Sequence, residues 1–127
     1  ILSLQHNNFL STMNHISGNN NSSVLEIGIQ FGGNNNYSIT SKKRTFRAFF
    51  GSHRAAAACW ILLMEQYPNI MLLKKHMLIA LYYLKVNPTN EVAANFLKCH
   101  IQTYTSLRDY YVELICHLPV VSLLNYI

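Results

Sequence analysis

From residue 42 onward, hydrophobic positions recur at three- and four-residue spacing, a period that predicts helices. Phe46, Phe49 and Phe50 share one face of a short helix beginning at Lys42, and Gly51 suits a left-handed stop. Ser52 is placed to cap the next helix. That helix carries an alanine run of high helix propensity, a stripe of Ala56, Trp60, Leu63 and Tyr67, and an end at Pro68–Asn69. A third helix, residues 72–85, has Leu73, Met77, Ala80, Leu81 and Leu84 as its buried face, with Lys74, Lys75 and Lys85 outward and Asn87–Pro88 closing it. Pro88 can open a short helix, with Val92, Ala93, Phe96 and Leu97 on one face. Lys98, Cys99 and His100 break the pattern, and it resumes at Tyr104, Leu107, Tyr111, Leu114, Ile115 and Leu118. A short helix, a tight turn and a longer helix fit a helix-turn-helix or an ordinary αα-hairpin of a bundle.

The flanks lack this order. Residues 1–41 hold runs of Asn, paired glycines and many serines, with Glu26 the one charged residue. Such residues favour turns over regular pairing, so a flexible, largely irregular segment is expected. Within it, Ile1–Leu4 and Val24–Phe31 could form a short helix or strand. Residues 119–127 form an apolar strand or extended tail, expected to lead into a downstream domain, and the start at Ile1 adds to the expectation of a fragment. The predicted fold is all-α: a bundle of about four helices over 42–118, ending in the helix-turn-helix candidate.

Composition narrows the classes. Half of the 127 residues are apolar, enough for a core. The net charge is +5, compatible with nucleic acid without being diagnostic of it. Residues 42–85 carry eight Lys/Arg against Glu65, whereas 86–127 carry Lys98 and Arg108 against Glu91, Asp109 and Glu113. The three cysteines show no CxxC and no secreted framework; Cys59 and Cys116 fall within apolar stripes. The most apolar run, residues 70–84, is interrupted by Lys74, Lys75 and His76 and is too short to span a bilayer. A nuclear or otherwise intracellular protein is expected.

Three pieces, RTFRAFFGSHRAAAACWILL, KKHMLIALYYLKVNPTNEVAANFLKCHIQTY and YVELI, resemble the N-terminal region of PIF/Harbinger-like transposases of the DDE superfamily. The likeness covers roughly residues 44–115. It implies that Ala94 is the small residue where the two helices cross, that Tyr104 packs back on the first helix, and that a recognition helix begins near Ile101. Gln102, Thr103, Thr105, Ser106 and Asp109 would then face bases. This chain departs from the family pattern in having Lys98 where glycine is favoured in the turn, and Thr105 and Ser106 where basic residues are usual.

The resulting expectation is a DNA-binding domain that takes double-stranded DNA and no small-molecule substrate, cofactor or membrane. Lys42, Lys43, Arg44, Arg47, Lys74, Lys75 and Arg108 would supply phosphate contacts. The alternative is a degenerate bundle serving only protein interaction or structure, and an enzyme built on Asp109 and Glu113 is a third reading. DDE chemistry needs clustered carboxylates around two metal ions; one Asp and four Glu, none in such a motif, predict no catalysis in this chain. Asp109 and Glu113 fit a solvated helix face beside Arg108 better than a cation site. The Cys99–His100 and Cys116–His117 pairs lack zinc-ligand spacing.

Overall fold

In a computed structural model, residues 18–32 and 38–118 are described, and among them there are six helices and no strand. These are α1 (Gly18–Gly32), α2 (Ile39–Phe50), α3 (His53–Gln66), α4 (Lys74–Val86), α5 (Asn90–Leu97) and α6 (Ile101–Cys116). The all-α expectation holds, with five helices in place of about four from residue 39 to residue 118 and a sixth, α1, before them. The expected features at Ile1–Leu4 and in the 119–127 tail lie outside the described residues.

The largest correction is α1. The short helix or strand expected at Val24–Phe31 is a helix, and it extends over residues 18–32 into the Asn/Ser-rich stretch expected to be irregular, with Val24, Leu25 and Ile29 buried in the core. Burial of these apolar side chains, each contributing about 1.5–3 kcal/mol when complete, outweighs the turn preference of the asparagines beside them. Gly28 permits the docking: a Cβ there would collide with the Phe46 ring. Since α2 also begins at Ile39, capped by the Ser38 hydroxyl, the boundary at residue 42 falls inside a helix.

α4 is the hub of the bundle and packs against α1, α2, α3 and α6. Its residues Met77 to Tyr82 are buried without interruption. α3 is nearly as enclosed, because Ala55 to Ala58 let neighbouring helices approach closely. An aromatic seam joins α2, α4 and α5: Phe49 lies 4.7 Å from Phe96 and Tyr82 4.9 Å from Phe96, centroid to centroid. Phe46 and Phe50 are fully buried, as their shared face predicts.

Capping follows the sequence in some places and departs from it in others. Ser52 accepts from the Ala55 N–H, as expected. Gly51 has positive φ (84°) but extended ψ (−168°), so it is a sharp corner and not a left-handed α stop. Pro88 stands outside α5; Thr89 is the cap and accepts from the Val92 N–H. The predicted faces also need correction. Leu73 and Val92 are 50% and 56% exposed, because Leu73 lies before the first turn of α4 and Val92 falls on the outer side of a short helix that buries Ala93, Ala94 and Leu97. Cys116 is exposed at the last residue of α6, whereas Cys59 is buried and its thiol is pushed up to about 12 by that burial.

The long connection between α3 and α4 is tied down by tyrosines. Tyr67 Oη donates to the Leu114 carbonyl (3.3 Å), and Tyr111 Oη accepts from the Leu73 N–H (3.0 Å). These bonds fix the C-terminal half of α6 against the loop, while its N-terminal half stands beside α5.

Candidate nucleic-acid interface

The basic residues fall into separate groups. On α2, the Phe46/Phe50 face is buried, which leaves Lys43, Arg44 and Arg47 exposed on the other side and Lys42 half-buried. Arg54, in the first turn of α3, is exposed close by. Burial, then the charges of Lys43 and Arg54, hold the His53 imidazole below its ordinary value of 6.5. Five Lys/Arg lie between residues 42 and 54, and no carboxylate lies between Ser38 and Met64. Sequence reasoning misses Arg54 because it stands alone after a cap; the corner that Gly51 creates is what brings it to the α2 cluster.

The α4 lysines diverge. Lys74, expected to point outward, is half-buried: its Nζ donates to Ser23 Oγ (3.1 Å) and lies 5.7 Å from the Trp60 ring centroid. It clamps α1 and α3 to the bundle. Lys75 is exposed and sits 5.7 Å from the Phe31 ring centroid. It lines a depression of about 160 Å³ together with Ile27, Gln30, Phe31, Leu97 and Lys98. A second, more open hollow, formed by Ala94, Asn95, Lys98, Cys99 and His100, adjoins it through Lys98.

At the start of α6, Gln102, Thr103 and Ser106 are exposed. Thr105 is half-buried and donates back to the Gln102 carbonyl (3.2 Å). Arg108 is committed within the fold. Its Nε pairs with Asp109 (2.8 Å), its guanidinium donates to Asn90 (3.1 Å), and it lies 4.9 Å and 5.3 Å from the Tyr83 and Tyr104 ring centroids. This ties α6 to α4 and α5. Asp109 is thereby a partner of Arg108 on a solvated face.

α6 packs on α4 and α5 and less on α3, whereas α2 packs on α1, α3 and α4. Both α2 and α6 therefore rest on the hub, and each has further neighbours of its own. Among the described residues no group of three or more His, Cys, Asp or Glu could hold a metal ion, and no helix is long and apolar enough to cross a membrane. No protein family, curated protein or solved structure matches the chain.

Proposed function

We propose that this chain is a DNA-binding helical domain, non-catalytic by itself and of transposase-like origin, in which α5 and α6 serve as a helix-turn-helix-like unit. The observation that carries the reading is the α2–α3 corner, where five cations between residues 42 and 54 stand without a carboxylate. Phosphate neutralisation supplies most non-specific affinity for duplex DNA, and this corner provides the donors. Order supports the rest: a short helix, a connection of three residues and a longer helix follow α4, and the side chains at the start of α6 that are exposed, Gln102, Thr103 and Ser106, are of types that hydrogen-bond base edges.

Titration of duplex binding with salt tests this. Binding should weaken steeply as salt rises, and Lys43→Ala/Arg44→Ala/Arg47→Ala should lower the log–log slope by about 0.9 for each phosphate that is no longer neutralised. No measurable binding at low salt would sink the proposal. One observation favours the rival reading of a protein-interaction module. Met64, Ile70 and Met71 are 52%, 38% and 91% exposed beside Trp60 and Tyr67, and methionine-rich apolar surfaces suit adaptable protein contacts.

A further inference from the structure

We infer that the depression between α1, α4 and the α5–α6 turn is a second phosphate site, in which Lys75 and Lys98 hold the backbone of a DNA duplex alongside the N-terminal half of α6. The inference rests on the DNA-binding reading and extends it to a place that the basic corner does not reach. Two lysines from different elements, one on α4 and one on the turn, line a single hollow with Gln30, and no carboxylate lines either this hollow or its neighbour. Phe31 and Leu97 form its apolar floor. Lys75 lies over the Phe31 ring, which restrains its long chain and lowers the entropy cost when it meets an anion.

The backbone at Lys98 is the second observation. It adopts φ 56° and ψ 49°, and it is one of two non-glycine residues with positive φ among the described residues. Its N–H closes the end of α5 on the Ala94 and Asn95 carbonyls, so the conformation is imposed by the turn and not by the side chain. Glycine would adopt it without steric penalty. A lysine there accepts backbone strain in the turn that leads into α6. Strain held at an exposed residue that lines a hollow with another cation points to a task for its side chain. A phosphodiester is the matching ligand: it is a compact anion with acceptor oxygens, and the adjoining hollow at Asn95 and His100 continues the track toward the exposed Gln102 and Thr103.

Lys98→Gly separates task from fold, because it removes the charge while keeping the backbone that the turn requires. The experiment is a salt titration of duplex DNA binding by the full chain, Lys98→Gly, Lys75→Gln and the α2 triple-alanine variant, with thermal unfolding of each. Lys98→Gly and Lys75→Gln should each reduce the slope of log affinity against log salt by about 0.9. Lys98→Gly should do so with an unfolding midpoint at or above that of the parent. If both variants keep the parent slope while the α2 variant loses it, the second site is refuted and the basic corner stands as the sole phosphate contact. If the parent itself does not bind at low salt, the DNA-binding reading falls and this site falls with it.

Discussion

Gly28 shows how much a single small residue decides here. It sits in α1 where that helix crosses α2, and the Phe46 ring occupies the space a side chain would need. Phe46 cannot retreat easily, because it is fully buried and lies 4.9 Å from the Phe50 centroid. Overpacking of a filled core costs roughly 1–3 kcal/mol. Gly28→Ala should therefore reduce the unfolding free energy, measured by urea titration, by that much without changing the helix content of the native state; an unchanged midpoint would mean that α1 can slide off α2 at no cost. Tyr104 has the opposite character. It is fully buried, and burial pushes its hydroxyl up against the opposing pull of the Arg108 guanidinium beside it. Its early position in the last helix is legible in the sequence as an apolar contact point; the placement of Arg108 over the Tyr83 ring of α4 is not, because pairing across the α4–α6 packing leaves no periodic trace.

At the scale of elements, the helices after residue 38 are readable because each carries its own period and its own punctuation: Ser52, Pro68, Asn87 and Pro88. Asn87 takes the left-handed conformation (φ 52°) that ends α4, as a residue suited to that region should. α1 is not readable as a core helix, since its apolar residues 24, 25 and 29 are embedded among residues that favour turns and its place depends on a cleft made by distant elements. The outward face assigned to Lys74 fails for a related reason: Ser23 and Trp60 draw its amine inward. Because α1 covers Phe46 and Phe50 and contributes Ile29 at 1% exposure, Ile29→Ala should cost about 2–5 kcal/mol. Equilibrium unfolding followed by Trp60 fluorescence measures this directly, since the chain has one tryptophan and it lies in the same cluster. A change under about 0.5 kcal/mol, the range of surface substitutions, would show α1 to be dispensable and restore the boundary near residue 42.

For the molecule as a whole, acid sensitivity follows from two half-buried histidines, one at the start of α3 and one in the first turn of α4. His53 is held below 6.5 by burial and by Lys43 and Arg54, and His76 by burial and by Lys75. Each packs its ring edge-on against an aromatic of the core, His53 at 6.4 Å from Phe46 and His76 at 5.8 Å from Tyr111. In the unfolded chain both regain 6.5, so between that value and the lower native one the unfolded state binds more protons. Stability must then rise with pH through this window and fall as the solution is acidified through it. The fall has structural routes: a charged His53 would add to the repulsion at the basic corner, and a charged His76 would disturb the ring whose hydroxyl holds the Leu73 N–H. Bound phosphate would oppose the first of these effects by neutralising Lys43 and Arg54, so DNA should protect the fold more at low pH than at neutral pH. Urea midpoints measured from about pH 7.5 to about pH 5, the range in which histidine titrates, should decline for the parent and flatten in His53→Gln/His76→Gln. A double variant as acid-sensitive as the parent would assign the decline to other groups.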